Sequence, residues 1–170
     1  TELFRQMSKS WGIEIVYADL GKTEEVDTLL KGDPAIKLVY LETPANPTLA
    51  CIDIEALARV TSLHNRYSAI DNTFATPYLQ QPILLGVDFV IHSTTKFING
   101  HGNSIAGVVI GKDAELFKQT IWNTMKLTGA NCSPFEAWLV YQGMKTLPLR
   151  MDKHSSNALL ISTTLSNHPN

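Results

Sequence analysis

Several short runs of this chain are apolar at nearly every position instead of every second one. Ile36-Lys37-Leu38-Val39-Tyr40-Leu41, Tyr67 to Ile70, Val87 to Ile91 and Ile105 to Ile110 share this character. A strand buried on one face alternates, whereas a near-continuous apolar strand needs cover on both faces. The segments between these runs supply such cover. Asp53 is placed to cap a helix with Ile54, Leu57, Ala58 and Leu63 on one side, and Thr23 to cap a shorter one carrying Val26, Leu29 and Leu30. Strand, helix and strand with short connections predict an α/β domain with a mostly parallel sheet flanked by helices.

Outside that pattern, residues 1–11 read as a helix stopped by Gly12, and Ile13 to Tyr17 read as a further strand. Beyond residue 112 the texture becomes all helical. Asp113 caps a helix carrying Phe117, Ile121 and Met125. Ser133-Pro134-Phe135-Glu136 is a capping box with proline at the first helical position, and a longer helix runs from about Arg150 to Ser166. Thr1 opens in a helical pattern without an initiator methionine, and Asn170 closes just past another helix. The expectation is a piece of a longer polypeptide.

Bulk properties exclude several classes of function. A chain of 170 residues fits one domain, and 44% hydrophobic with 18% charged residues is ordinary for a globular protein. The net charge of −2 gives no basic footprint, which argues against nucleic acid or an anionic membrane as partner. No apolar stretch reaches the length of a membrane span, and the first residues do not resemble a signal peptide. Cys51 and Cys132 have neither metal-type spacing nor the number for a disulfide scaffold, so a cytoplasmic location is expected.

In open parallel sheets, ligands bind beyond the carboxyl ends of the strands. The strand through Leu41 runs into Glu42-Thr43-Pro44-Ala45-Asn46-Pro47. The strand through Ile70 ends in Asp71-Asn72-Thr73, and the strand through Ile91 in His92-Ser93-Thr94-Thr95-Lys96. Taken singly, each residue has an ordinary reading: Asp71 as a turn cap, Ser93 and Thr95 as turn hydroxyls, Asn46 as a turn residue, Lys96 as a solvated lysine. His92 and His101 have no third ligand at a metal spacing, and His101 reads as the cap of a backbone turn. Gly100-His101-Gly102 is followed by no Gly-Lys-Ser/Thr, and no Gly-x-Ser-x-Gly elbow is present.

Taken together, the same residues suit pyridoxal 5'-phosphate (PLP). Its aldehyde needs an amine that can lose its proton, its ring nitrogen a buried carboxylate, its phosphate hydroxyls and backbone N–H groups, and its phenolic oxygen a polar side chain. Lys96, Asp71, Ser93 with Thr95, and Asn46 provide one group for each need.

Ser93-Thr94-Thr95-Lys96-Phe97-Ile98-Asn99-Gly100-His101-Gly102 resembles the signature of the PLP enzymes of cysteine and methionine metabolism, which include cystathionine γ-synthase, cystathionine γ-lyase and methionine γ-lyase. Glu42 to Pro47, Asp71 to Gln80, Gly143-Met144-Lys145-Thr146-Leu147 and Arg150-Met151 resemble it too. The resemblance implies the large-domain core of the aspartate-aminotransferase type (fold type I), with the strand at Ile105 to Ile110 antiparallel. Residues 1–145 would form part of the cofactor-binding domain, and residues 146–170 the start of a helix leading to a small domain.

By resemblance, Lys96 carries the cofactor and moves protons, and Asp71 pairs with the ring nitrogen. Ser93 and Thr95 contact the phosphate, Asn46 lies near the cofactor oxygen, and Glu42 supports the same loop. The implied chemistry is γ-elimination at a C–S bond of a small sulfur amino acid, with γ-replacement as the alternative; Asn99 to Asn103 and Thr128 to Pro134 look more like γ-lyases. The implied parent is a homodimer or homotetramer. Family members are more than twice this length, so the chain alone is expected to bind cofactor weakly or not at all and to turn over negligibly. Two readings of other classes stay open, a cofactor-free lysine enzyme such as an aldolase and a non-catalytic interaction domain.

Overall fold

The computed structural model describes residues 2–169. Their four strands form one sheet in the order β1-β2-β3-β4. Strands β1 (Leu38–Glu42), β2 (Tyr67–Asp71) and β3 (Phe89–Ser93) are parallel, and β4 (Gly107–Gly111) runs antiparallel to β3. The mostly parallel sheet is the one that the apolar runs predicted, with β4 reversed as the resemblance implied.

Helices α1 (Glu2–Trp11) and α2 (Thr23–Gly32) precede the sheet, and α3 (Ile54–Leu63) crosses from β1 to β2. The short α4 (Thr76–Leu79) and a 3-10 turn at Pro82–Leu85 connect β2 to β3. One core lies between the sheet and α2 with α3. Val39, Leu41, Ile70 and Val90 supply the sheet side; Val26, Leu30, Leu57 and Ala58 supply the helix side. A cross-strand lock holds the bottom of the sheet. Asp88 accepts from the Ser68 backbone N–H at 2.8 Å and from its hydroxyl at 3.0 Å.

After β4 come α5 (Ala114–Phe117), a π-helical stretch at Lys118–Trp122, α6 (Asn123–Thr128), α7 (Pro134–Met144) and α8 (Leu147–Ser166). Three predicted caps are formed: Asp53 accepts from Ala56 N at 2.9 Å, Asp113 from Leu116 N at 2.7 Å, and Ser133 from Glu136 N at 3.2 Å. The capping box is half made, because the Glu136 carboxylate accepts from Ile105 N at 3.3 Å instead. Thr23 is the first helical residue of α2 and caps nothing; Lys22 holds the cap position.

Ile13 to Tyr17 is not a strand, although its composition predicts one. The segment pairs with no strand among the described residues and leaves Ile13, Val16 and Tyr17 exposed. Strand propensity describes how side chains fit a pleated surface; without a neighbouring backbone there is no ladder to form.

The chain exposes 11554 Å², against about 8,300 Å² for a compact monomer of its size. Much of the excess is apolar: Phe135, Trp138 and Tyr141 on α7 all stand exposed. In α8, Leu147 and Met151 are buried, whereas residues 152–166 are all exposed.

Candidate active site

The three parallel strands end together at Glu42, Asp71 and Ser93. Glu42 pairs in register with Asp71, and Asp71 with Ile91. Because side chains alternate, Tyr40, Glu42, Asp71, Ile91 and Ser93 share one face of the sheet. That face is opposite the packed core, whose sheet residues sit at the intervening positions. Tyr40 was not singled out from sequence, yet it stands on β1 beside both carboxylates. Its phenol is pushed up to about 12, by burial first and then by the charges of Asp71 and Glu42. It is therefore a neutral hydrogen-bond donor across the physiological range.

The loops beyond the strands are sewn together. Asp71 Oδ1 accepts from Thr73 N at 3.0 Å, and the Thr73 hydroxyl accepts from Ser93 N at 2.8 Å. The turn that carries Lys96 thus begins against the loop that carries Asp71. Lys96 N donates to Ser93 O at 3.2 Å, and Gly100 N donates to Lys96 O at 2.7 Å. The side chain of Lys96 is exposed. Thr95 closes the turn onto the approach to β4: its hydroxyl accepts from Ala106 N at 3.0 Å and donates to Ala106 O at 3.2 Å.

On the β1 side, Glu42 accepts from the backbone N–H of Asn46 at 3.2 Å, which folds the proline-bearing loop over the strand end. Gln80 links this loop to the next one. Its amide nitrogen donates to Thr43 O at 3.0 Å and to Asn72 Oδ1 at 2.7 Å, while Asn72 Nδ2 donates to Gln80 O at 2.9 Å. Asn72 is fully buried, so this amide pair is an internal brace.

His92 points to the opposite, core side of the sheet and is buried; burial pulls its pKa below the ordinary histidine value. The His101 ring contacts the Asn99 carbonyl, the turn role predicted for it. Among the described residues no group of three His, Cys, Asp or Glu could hold a metal ion.

Of the six candidate residues, Thr95 has its hydroxyl committed to backbone, and Glu42 has one carboxylate oxygen so committed and the other without a partner among the described residues. The other four each keep a group free: the Lys96 amine, one Asp71 oxygen, the Ser93 hydroxyl and the Asn46 side-chain amide have no hydrogen-bond partner among the described residues. An amine, a carboxylate oxygen, a hydroxyl and an amide are the donor set that PLP requires, so the residues fit that cofactor. Arg150, quoted above only as part of a matching motif, holds the backbone beyond Lys96 by contacts 52 and 53 residues apart in sequence. No local pattern announces such a contact.

Comparison with known proteins identifies the family. The family model for Cys/Met metabolism PLP-dependent enzymes matches residues 1–170. The chain is 44% identical over 160 residues to L-methionine gamma-lyase of Porphyromonas gingivalis, covering 94% of this chain and 40% of that protein. It is 40% identical over 167 residues to a probable cystathionine gamma-synthase of Herpetosiphon aurantiacus, covering 98% of this chain and 51% of that one. The crystal structure of cystathionine gamma-lyase from Lactobacillus plantarum, complexed with L-serine, superposes with a TM-score of 0.94 at 40% identity. That match covers 99% of this chain and 43% of the solved one. The chain thus spans well under two thirds of the length of these relatives. With the family model matching from end to end, this chain belongs to the family of Cys/Met metabolism PLP-dependent enzymes.

Proposed function

We propose that this chain forms the cofactor-binding core of an enzyme that eliminates a thiol from the γ-carbon of a sulfur amino acid such as methionine or cystathionine. The observation that carries the reading is the joining of Asp71 and Ser93 through Thr73 at adjacent parallel strand ends, with Lys96 in the turn that follows. Bound PLP supplies an electron sink that lowers the cost of removing a proton next to nitrogen. Lys96 is the amine that would hold the cofactor through its aldehyde and would carry protons at the substrate's α and neighbouring carbons. The Asp71 carboxylate favours a protonated ring nitrogen. Ser93 would offer its free hydroxyl to the phosphate, and Thr95, whose own hydroxyl is held by Ala106, would fix the turn behind it. Asn46, positioned through Glu42, takes the cofactor oxygen and the substrate carboxylate.

The γ-replacement reading is kept because the relative from Herpetosiphon aurantiacus is named a probable cystathionine gamma-synthase. Both outcomes use the same amine and carboxylate. We assign residues 1–145 to part of the cofactor domain and residues 146–170 to the helix that leads out of it. The half-exposed strand ends of the site face and the apolar surface of α7 support a parent that completes the site with further segments, as a homodimer or homotetramer, and we assign it to the cytoplasm. On its own, this chain then binds cofactor weakly and turns over negligibly. Among the described residues, no helix is long and apolar enough to cross a membrane.

The test has two stages. PLP added to this chain gives a weak visible band of lysine-bound cofactor, absent in Lys96→Ala. The full gene product is then assayed with methionine, with cystathionine, and with an activated homoserine ester plus a thiol. Release of a 2-oxo acid and ammonia supports elimination; thioether formation alone moves the assignment to replacement. Full activity of Lys96→Ala or Asp71→Ala would remove PLP chemistry at this site altogether.

A further inference from the structure

We propose that Arg150 is a positioning residue for the Lys96 amine: its guanidinium, mounted on α8, fixes the backbone that immediately follows Lys96. The inference rests on the reading of Lys96 as the cofactor-bearing amine.

The geometry is a single planar fork shared among three segments. Nη1 donates to Phe97 O at 2.6 Å and Nη2 to Ile98 O at 3.2 Å, the two carbonyls directly after Lys96. Nη2 also donates to Gly143 O at 2.8 Å at the end of α7, and Nε to the Thr146 hydroxyl at 3.0 Å. Every acceptor is neutral. A guanidinium that serves two successive carbonyls is using its fixed shape, which the compact ammonium of lysine cannot copy.

The turn is built around this group. Gly100 has φ +72°, and a Cβ there would stand 2.5 Å from Arg150 Cζ. Only a glycine lets the backbone lie this close to the guanidinium in that conformation. Two further residues of α8 reach the same region. Tyr78 Oη donates to Asp152 at 2.9 Å, from the connection that follows Asp71. The His154 ring meets the Phe97 ring edge-on at 5.3 Å between centroids. The first turns of α8 therefore touch the loops that carry both Asp71 and Lys96.

A purely structural arginine would matter for stability and leave the chemistry of Lys96 alone. The arrangement here argues otherwise, because Phe97 and Ile98 have no freedom to move without carrying Lys96 with them. Displacing a reacting group by about 1 Å can cost two orders of magnitude in rate.

The test compares wild type with Arg150→Met, which keeps the stem, and Arg150→Lys, which keeps the charge; circular dichroism establishes that each is folded. The full gene product is treated with PLP, the adduct is reduced with borohydride and located by peptide mass, with Lys37 and Lys112 as internal controls. Trapping at Lys96 is expected to fall at least about tenfold in Arg150→Met and less in Arg150→Lys, with the control lysines unchanged. Hydrogen exchange at Asn99 and Gly100, whose N–H groups close the Lys96 turn onto Thr94 O and Lys96 O, is expected to speed up in parallel. A folded variant with wild-type trapping at Lys96, or with unchanged exchange at these amides, overturns the proposal. Wild-type Lys96 trapped no faster than the control lysines would instead refute the cofactor reading, and the exchange measurement would then decide the role of Arg150 alone. Should Arg150→Met fail to fold, Arg150→Lys carries the same two measurements.

Discussion

Asn99 lies directly against Gly143: a Cβ built on residue 143 would stand 2.8 Å from the Cα and carbonyl carbon of Asn99, and closer still to its oxygen. The contact joins α7 to the Lys96 turn backbone to backbone. Gly143 is present because of this approach and not for a left-handed conformation, since it is not among the glycines of positive φ. Alanine favours a helix interior over glycine by about 1 kcal/mol, but here it would have to push the turn away. Gly143→Ala is expected to destabilise by about 1–3 kcal/mol, the usual cost of overpacking. Gly32, with nothing within 4 Å of its virtual Cβ, is the control and should tolerate alanine. Urea midpoints for the two variants provide the check, and a more stable Gly143→Ala would contradict the packing described.

The amide brace between Gln80 and Asn72 makes a second prediction. Gln80→Ala removes the donors to Thr43 O and Asn72 Oδ1 and leaves a buried amide oxygen without its partner. An orphaned buried acceptor costs about 1–3 kcal/mol. Because the brace spans the loops after β1 and β2, proteolysis within residues 43–50 should accelerate along with the loss in stability. Unchanged cleavage there would show that the loop holds itself.

His92 gives the fold a pH dependence whose sign follows from burial. Its folded-state pKa lies below the ordinary 6.5, chiefly through burial, with the Asn72 backbone and Asp71 opposing. The unfolded chain therefore takes up a proton that the folded chain refuses. The stability due to neutral His92 is complete above about pH 6.5 and is lost as pH falls through the folded value. Denaturation midpoints at mildly acidic and neutral pH should diverge more for wild type than for His92→Gln. Parallel slopes for the two proteins would rule out His92 as the source.

Much of the architecture was legible because it depends on local pattern. The strands declare themselves as continuous apolar runs, although β1 and β3 bury only their core-side face and β4 buries neither, and Asp53, Asp113 and Ser133 declare helix starts through residue type and position. What escaped was non-local. Ile13 to Tyr17 has strand composition but no partner, and pairing is not a property of the segment. Tyr40 joins the site only through the register of β1 on β2. Thr95 reads as a loose turn hydroxyl, yet Ala106 engages it from both sides. Arg150 acts across more than 50 residues, and only its place in the fold reveals it.

Tyr40 offers a direct reading of the site's electrostatics. Its phenol is raised to about 12 by burial first, with Asp71 and Glu42 adding to the effect. A raised phenol favours the protonated folded state, so the stability it contributes is complete below about pH 10 and is lost as pH climbs toward 12. Asp71→Asn removes one of the two charges and leaves burial in place. The Tyr40 pKa should then fall while staying above the ordinary tyrosine value. Ultraviolet titration of phenolate formation, with Tyr40→Phe subtracted to isolate this residue, makes the measurement. An unchanged Tyr40 titration in Asp71→Asn would mean that the carboxylate does not act on the shared face of β1 and β2, and the site would lose the charge meant for a ring nitrogen.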